Sequence, residues 1–263
     1  MATYLDRILE AHRADAAADR RSLDALVTTA EASPPTRGLR DALVAASAAP
    51  DRVAVIAEVK RRSPSKGDLA VDLDPADLAA EYVAGGAAAL SVLTDRAFFG
   101  GSPDDLAAAR AGCSVPVLRK DFTVAAHDVA DARLMGADAV LLIAAALDDV
   151  ELADFLALAR HLDLDALVEI HDEAELDRAM AVDADLIGVN QRDLVTFEVD
   201  TARAVRMAPL MPAGVVRVAE SGVTGPADAS VLRSAGYHAV LVGEALVTAG
   251  DARAAVAAMR RLA

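Results

Sequence analysis

The 263-residue sequence has one cysteine, no tryptophan, and only five phenylalanines and three tyrosines. A single cysteine, Cys113, excludes an internal disulfide, and no nearby His or Lys in the sequence would activate its thiol, so we interpret it as a small buried residue. CxxC and HExxH motifs are absent, and the five histidines lack the spacing of metal ligands. We therefore expect no metal and no cofactor.

Other motifs and segments are also missing. The sequence has neither the GxGxxG dinucleotide turn nor the GxxxxGK[ST] phosphate loop. No uninterrupted apolar run approaches the roughly 18 to 20 residues that span a bilayer. The first residues carry an acid and alternating charges in place of an apolar signal core. The lack of a long apolar run and of an apolar signal core predicts a cytoplasmic protein that does not enter a membrane.

Basic residues are in deficit, with 26 Lys and Arg against 41 Asp and Glu and a net charge of −15. This charge argues against binding to nucleic acid or anionic membranes. It would also repel an anionic substrate unless local cations and backbone donors hold it. We expect the acidic surplus on the outer surface and a small positive pocket that includes Lys60, Lys120 and Arg192.

Eight short, continuously apolar runs recur at intervals of about 26 residues, the length of a βα unit. Continuous apolarity is typical of parallel strands covered on both faces. Helical patterns with capping signals lie between the runs, so the sequence predicts one (β/α)8 barrel domain over residues 1–263. Residues 1–50 are expected to form a helical N-terminal extension, with helices over 4–30 and 39–47. The predicted strands are 53–58, 88–93, 115–120, 139–143, 165–169, 186–190, 215–220 and 239–243.

Five of the predicted strands end in an ionisable or amide side chain, and barrel chemistry takes place at these carboxyl ends. Glu58 and Lys60 share one face of the first strand because side chains alternate. If that face points inward, both converge with Lys120 and Glu169 above the barrel. The alternative for any one of them is a solvated charge at the rim. The remaining strand-end candidates are Asn190, Arg192, Glu220 and Ser221.

Two turns and one long loop add to this end of the barrel. Gly222 after the seventh strand, and Gly243 with Glu244 after the eighth, would let backbone N–H groups approach a phosphate; the alternative is that they only form tight turns. The polar segment 61–67 lies in the longest interval between strands and is a lid candidate.

Amines and carboxylates in a partly desolvated cup shift one another's pKa. We expect an amine beside another cation to have a lowered pKa and to act as a general acid, and a carboxylate with restricted water to act as a base. From the residues alone, the chemistry is a lyase, isomerase or cyclising reaction on a small phosphorylated molecule.

The segment 56–67, IAEVKRRSPSKG, resembles the signature of the indole-3-glycerol phosphate synthase family. Similar segments follow in the family's order over nearly the whole chain. They are ALSVLTD at 89–95, FFGGS at 98–102, VLRKDF at 117–122, ADAVLLI at 137–143, LVEIHD at 167–172, IGVNQRDL at 187–194, AESG at 219–222 and VLVGE at 240–244.

The resemblance implies a carbon–carbon lyase of tryptophan biosynthesis. Its reaction closes 1-(2-carboxyphenylamino)-1-deoxyribulose 5-phosphate to an indole with loss of CO₂ and water. It implies that Lys120 is the general acid and Glu169 the base, and that Lys60 contacts substrate anions or is a further acid. Glu58 would orient the lysines and Asn190 would bind a substrate hydroxyl. Implied substrate contacts are Ser63, Phe99, Arg192, Glu220 and Ser221, with Gly222, Gly243 and Glu244 at the phosphate.

The chain departs from the family pattern at two places. Ala125, Ala126 and His127 stand where a Pro with an aromatic neighbour is frequent, which leaves His127 open as a functional residue or a capping or solvated side chain. Gln191 stands where Asn, Ala or Ser is more usual.

Two alternatives stay open at this point. A related barrel acting on another phosphorylated sugar or amine would keep the Ser221 and Gly243 turns but lose Lys60 and Lys120. A catalytically silent barrel that serves as a partner subunit would have lost Lys120 or Glu169. We expect a monomer, with an oligomer left open, and no nucleic-acid or membrane partner.

Overall fold

A computed structural model describes residues 3–64 and 66–261. Eight parallel strands close into a barrel in the order β1-β10-β9-β8-β7-β6-β5-β4, and β2 and β3 form a separate antiparallel hairpin. The predicted (β/α)8 barrel is confirmed. The strands are β1 (Ala54–Val59), β2 (Arg62–Ser63), β3 (Gly67–Asp68), β4 (Ala89–Leu93), β5 (Val117–Lys120), β6 (Ala139–Ile143), β7 (Asp165–Ile170), β8 (Leu186–Asn190), β9 (Val216–Glu220) and β10 (Ala239–Val242).

Helices alternate with the barrel strands, and three helices precede the first strand. They are α1 (Tyr4–Ala18), α2 (Leu23–Glu31), α3 (Leu39–Ala46), α4 (Pro75–Gly85), α5 (Arg96–Phe99), α6 (Pro103–Ala111), α7 (Ala126–Leu134), α8 (Asp149–His161), α9 (Glu173–Ala181), α10 (Arg203–Met207), α11 (Pro226–Ser234), α12 (Glu244–Val247) and α13 (Ala252–Met259). Within residues 3–64 and 66–261, no helix has both the length and the apolar character needed to span a bilayer.

The single helix predicted over 4–30 is wrong, because the chain leaves the helix between α1 and α2. Asp19 follows α1 in an extended conformation, and its carboxylate accepts a hydrogen bond from the backbone N of Arg21 at 2.9 Å. Ser22 then caps α2 by accepting from the backbone N of Ala25. Short polar side chains of this kind compete for backbone N–H groups, so they end one helix and start the next.

Alternation along each strand divides the apolar residues into two buried layers. Every second side chain of a strand points into the barrel interior, and the side chains between them pack between the barrel and its helices. The interior strand residues are Ala54, Ile56, Ala89, Leu118, Ala139, Leu141, Ile143, Leu167, Leu186, Val216, Val218, Ala239 and Leu241. Polar side chains that point into the interior are therefore expected only at the open ends of the barrel.

The N-terminal extension contacts both ends of the barrel interior. Leu39 and Leu43 of α3 are fully buried in the interior cluster, and the backbone N of Arg40 donates to Asp165, the first residue of β7. Ile8 of α1 belongs to the same cluster and lies at the opposite end, where it lines a cavity. The extension thus closes the amino ends of the strands and covers part of their carboxyl ends.

Candidate active site

All thirteen site residues predicted from the sequence line one cavity of about 770 Å³ at the carboxyl ends of the strands. They lie on five of the barrel strands or in the segments that follow β1, β4, β8, β9 and β10. The residues are Glu58, Lys60, Ser63, Phe99, Lys120, Glu169, Asn190, Arg192, Glu220, Ser221, Gly222, Gly243 and Glu244.

Strand alternation explains how the ionisable side chains reach this cavity. Glu58 follows the interior residues Ala54 and Ile56 at a spacing of two, and Lys120 follows Leu118 in the same way. Glu169 likewise follows the interior residue Leu167 of its strand at a spacing of two. In each of these strands, the side chain that points inward at the carboxyl end, where the barrel opens, is polar. The inward face proposed from the sequence is therefore the observed one.

Lys120 lies between two buried carboxylates. Its Nζ is 2.7 Å from Oε2 of Glu169 and 3.0 Å from Oε2 of Glu220. The second oxygen of Glu169, Oε1, accepts a hydrogen bond from Nδ2 of Asn190 at 3.0 Å. Side chains from four strands, β5, β7, β8 and β9, are thereby joined into one network.

The network sets three different protonation states. Burial lowers the pKa of Lys120, but the charges of Glu169 and Glu220 outweigh burial and the net shift is upward. Burial raises the pKa of Glu169, but the charges of Lys120 and His171 and the hydrogen bonds from Lys120 and Asn190 together outweigh burial, so the pKa is lowered. Burial dominates at Glu220 and raises its pKa. Lys120 is thus an ammonium, Glu169 a carboxylate and Glu220 a carboxylic acid near neutral pH.

This arrangement differs from the lowered amine pKa expected from the sequence. That expectation required a second cation beside the catalytic amine. The neighbours of Lys120 are carboxylates, and each is held within hydrogen-bond distance by its own strand. Sequence spacing identifies which residues reach the cavity but not which of them are in contact.

Lys60 and Glu58 form a second ion pair within β1 and its immediate extension. The hydroxyl of Ser91 on the neighbouring strand β4 also contacts Glu58, at 3.4 Å. A Cβ atom on Gly243 would collide with the carboxylate of Glu58 and lie 2.8 Å from Nζ of Lys60. The absence of a side chain at Gly243 therefore leaves space for the Glu58–Lys60 pair.

The turn after β9 has the geometry expected of a close backbone approach. Ser221 and Gly222 both have positive φ, at 63° and 71°. The amide of Gln191, which is 1% exposed, donates from Nε2 to the backbone O of Ser221 at 2.8 Å. The unusual Gln191 noted in the sequence is therefore a buried support for this turn.

The segment 61–67 forms part of the β2–β3 hairpin at the cavity edge, with Ser65 outside the described residues. Ser63 is buried, and its hydroxyl accepts a hydrogen bond from the backbone N of Lys66. Nζ of Lys66 lies 3.6 Å from Oε1 of Glu244 at the start of α12. The hairpin thus extends from β1 along the cavity edge to the turn after the neighbouring strand β10.

Comparison with known proteins agrees with this geometry. The family model described as indole-3-glycerol phosphate synthase matches residues 5–259. The chain belongs to the indole-3-glycerol phosphate synthase family. The activity predicted from the sequence, that of a carboxy-lyase of tryptophan biosynthesis, is confirmed at the level of this family.

Individual relatives match over nearly their whole length. The indole-3-glycerol phosphate synthase of Mycolicibacterium smegmatis is 52% identical over 258 residues, which cover 97% of this chain and 93% of that protein. The one from Parafrankia is 52% identical over 255 residues, with coverage of 96% and 93%. A thiamine phosphate pyrophosphorylase structure from Pyrococcus furiosus has a TM-score of 0.60 at 16% identity, covering 84% of this chain and 96% of that one, and shows the fold alone.

Several residues that line the cavity were not predicted from the sequence. Tyr4, Leu5 and Ile8 of α1 line the cavity, although the sequence suggested only that the extension packs on the barrel. Tyr4 is in edge-to-face contact with Phe98 and Phe197. These aromatic contacts fix the start of α1 over the site, and no local sequence signal indicated them.

Lys66 was also missed, although the composition contains a signal for it. Only three of the 26 basic residues in the sequence are lysines, and all three line this cavity. Arginine is used at the other basic positions. Lysine is a compact ammonium whose pKa responds to its surroundings, whereas arginine stays charged. In this chain, the positions of the few lysines therefore indicate where the site lies.

The small positive pocket expected from the sequence is not what the structure shows. The described lining residues include more carboxylates than cations, and each lysine lies beside a carboxylate. The carboxylates are Glu58, Asp95, Asp121, Glu169 and Glu244, with Glu220 as a carboxylic acid, and the cations are Lys60, Lys66, Lys120 and Arg192. An anion must be held here by individual cations and backbone N–H groups rather than by a general positive field.

His127 lies outside this lining and contacts the N-terminal extension. Its Nε2 is 3.0 Å from the backbone O of Arg21, in the connection between α1 and α2. Cys113 is half-buried and lies 3.5 Å from NH1 of Arg37, and burial raises the pKa of its thiol. Neither side chain is arranged to take part in chemistry in the cavity.

Among the residues that the structure describes, one group of side chains has the spacing of potential metal ligands, namely His12, Asp95 and Asp121. Their oxygens already accept hydrogen bonds: Asp95 from the ring of His12 and the backbone N of Phe98, and Asp121 from Thr94 and the backbone N of Phe122. The cluster is an internal network that attaches α1 to the loops after β4 and β5.

Proposed function

We propose that the protein converts 1-(2-carboxyphenylamino)-1-deoxyribulose 5-phosphate to indole-3-glycerol phosphate, with Lys120 as general acid and Glu169 as general base. The observation that carries this assignment is the contact between Lys120 and Glu169, 2.7 Å apart in a buried network. An ammonium and an ionised carboxylate stand side by side there, and the reaction needs one donor and one acceptor of protons.

In the first step, the ring carbon that bears the substrate carboxylate attacks the ketone carbon. A carbon–carbon bond forms, and the ketone oxygen becomes negative. The ammonium of Lys120 stabilises this oxygen and protonates it, which is favourable because an alkoxide is more basic than an amine. The raised pKa of Lys120 keeps the proton on the amine until the oxygen develops charge.

Loss of CO₂ then returns electrons to the ring, and dehydration completes the indole. The new hydroxyl leaves as water after it receives a proton, and a proton leaves the neighbouring carbon. Glu169 takes this proton, because Lys120 and Asn190 keep it ionised in the free enzyme. Lys60, held by Glu58, is the second ammonium and contacts the substrate carboxylate or supplies the proton for the leaving hydroxyl.

The remaining predicted residues are assigned to substrate binding. Phe99 lies 6.4 Å from Phe122 between ring centroids, and together they offer an apolar wall for the anthranilate ring. The turns at Ser221, Gly222, Gly243 and Glu244 are proposed to bind the phosphate with backbone N–H groups. Asn190, Glu220, Arg192 and Ser63 complete the polar lining.

We further propose that the chain functions as a single barrel domain, as a monomer in the cytoplasm. The continuous alternation of strands and helices supports one domain. The presence of only one cysteine in 263 residues is compatible with a reducing compartment.

The test is a fluorescence assay of indole formation with purified protein, with and without EDTA. Wild-type protein should be active in both conditions, and Lys120→Ala should lower kcat at least about 100-fold. Lys120→Arg is the matched variant, since it keeps the positive charge between Glu169 and Glu220 but is a very poor proton donor. It should fold normally and be similarly impaired.

The outcomes separate the claims. An inactive wild-type protein would contradict the proposed function. Full activity in Lys120→Ala would contradict only the role of Lys120, and complete loss of activity in EDTA would contradict a mechanism based on side-chain acids and bases.

A further inference from the structure

His171 is a largely buried imidazole next to the proposed catalytic base. It lies two residues after Glu169, so alternation along the chain places both side chains on the same side of β7. Its side chain is 12% exposed, and it does not belong to the described residues that line the cavity. A role for His171 must therefore act through a neighbour rather than by contact with substrate.

The first turn of α9 fixes the orientation of the His171 ring. Asp172 caps this helix by accepting a hydrogen bond from the backbone N of Glu175. The carboxylate of Glu175 turns back, accepts from the backbone N of His171 at 2.7 Å and lies 3.0 Å from Nδ1 of the ring. Nδ1 therefore carries a proton and donates a hydrogen bond to Glu175.

This orientation directs the other ring nitrogen at the base. Nε2 of His171 is 3.6 Å from Oε1 of Glu169 and has no hydrogen-bond partner among the residues that the structure describes. Oε1 of Glu169 is the oxygen that Asn190 also contacts, while Oε2 faces Lys120. A buried nitrogen without a partner is uncommon and indicates a function for the atom.

We propose that His171 is a positioning residue for Glu169: held by Glu175 as an imidazolium, it faces Oε1 and keeps the base ionised on the side opposite Lys120. The proposal rests on the assignment of Glu169 as the base. It adds a third positive or donor group to the network that sets the proton affinity of this carboxylate.

The charges around His171 are consistent with an imidazolium. Burial lowers the pKa of the ring, but the hydrogen bond to Glu175 and the charges of Glu169 and Glu175 outweigh it, and the net shift is upward. Arg203, which begins α10 and donates to the backbone O of Asn190, opposes the upward shift. Two carboxylates from β7 and α9 thus face the ring against one guanidinium from α10.

The consequence for catalysis is a dependence on pH. A positive charge close to a carboxylate lowers the carboxylate's pKa. Replacing His171 by the neutral glutamine should raise the pKa of Glu169, so that the base is lost to protonation at a higher pH.

The experiment compares pH profiles of kcat between pH 2.5 and 9 for wild type, His171→Gln and His161→Gln, because the lowered pKa of Glu169 places its acid limb below pH 4.5. His161 is the matched control, because it also pairs with a glutamate, Glu31 at 2.7 Å, but on the exposed surface. In His171→Gln the acid limb should move up by about 1 pH unit. KM at pH 8 should stay within about twofold of wild type, and His161→Gln should match wild type throughout.

An acid limb that does not move, or a loss of kcat by the same factor at every pH, would overturn the proposal. A wild-type protein without indole-forming activity would instead contradict the proposed function on which it rests. Should His171→Gln fail to fold, an NMR titration of the His171 ring in wild type and Glu169→Gln decides. The ring pKa should fall when Glu169 loses its charge, and an unchanged ring pKa would overturn the proposal.

Discussion

Lys120 and Glu169 are in contact at 2.7 Å although their strands, β5 and β7, are separated by β6. The pair therefore crosses the mouth of the barrel rather than following the sheet. Ile143, the interior residue of β6 in register with Glu169, is apolar and belongs to the buried interior cluster. The proposed acid and base thus meet next to buried apolar side chains, where their interaction is weakly screened by water.

Glu169→Gln should lower kcat by about 10²- to 10⁴-fold while KM changes less than about threefold. The substitution keeps the size of the side chain and its contact with Asn190 but removes the proton acceptor. Steady-state kinetics at saturating substrate measures both constants. Equal losses through kcat and KM would indicate a binding role for Glu169 instead.

Glu220→Gln is the matched substitution on the second carboxylate that contacts Lys120. Burial raises the pKa of Glu220 from its ordinary 4.5 to about 8, so the folded protein keeps a proton that the unfolded chain releases. Stability from this proton is present at low pH and is lost as pH rises through this range, by at most about 1.4 kcal/mol per pH unit. Glutamine mimics the protonated acid at every pH.

The free energy of unfolding of Glu220→Gln relative to wild type should therefore increase from pH 5 to 8 and level off above. Denaturant unfolding at several pH values measures it. Activity at pH 7 should stay within about tenfold of wild type. A relative stability that does not change between pH 5 and 8 would mean that Glu220 is already ionised in the folded protein.

The sequence was sufficient for the barrel, and it identified the strand-end residues Glu58, Lys120 and Glu169 as candidates for its mouth. Periodicity two groups side chains by strand face, but only the structure showed that the face of these residues points inward. Contacts between them depend on the stagger and closure of the barrel, which no local pattern records. For this reason the partners of Lys120, and the direction of its pKa shift, came only from the structure.

The N-terminal extension shows a second limit of sequence reasoning. Residues 19–22, Asp-Arg-Arg-Ser, contain neither Pro nor Gly, so the sequence gives no strong break signal there. The helix nevertheless ends, because Asp19 and Ser22 compete for backbone N–H groups. The contact of Tyr4 with Phe197 joins positions 193 residues apart in the chain. Pairs this distant have no signature in a single sequence.

Gly188→Ala should reduce activity without preventing folding. Gly188 faces the interior of β8, and a Cβ there would collide with Oε1 of Glu220, whose Oε2 contacts Lys120. Glu220 must then move, and Lys120 loses one of its two carboxylate partners. We expect kcat to fall about tenfold or more and the thermal midpoint to drop.

Gly214→Ala is the matched control, because a Cβ at Gly214 meets no atom within 4 Å. Its kinetics should equal those of wild type. Identical kcat in Gly188→Ala and wild type would show that Glu220 can shift without consequence for Lys120, and would remove Glu220 from the proposed network.

Gln191→Ala should weaken binding of the substrate phosphate while leaving the chemical step intact. Gln191 is buried and holds the backbone O of Ser221, a residue with the positive φ that non-glycine residues rarely adopt. Loss of one such hydrogen bond costs about 1 kcal/mol, so KM and the inhibition constant of inorganic phosphate should each rise up to about tenfold. The kcat value should change less than about threefold, because Gln191 has no contact with Lys120 or Glu169 among the described hydrogen bonds.

A fall in kcat with an unchanged phosphate inhibition constant would show that the Ser221–Gly222 turn does not bind the phosphate, since relaxing that turn would then have left anion binding unaffected.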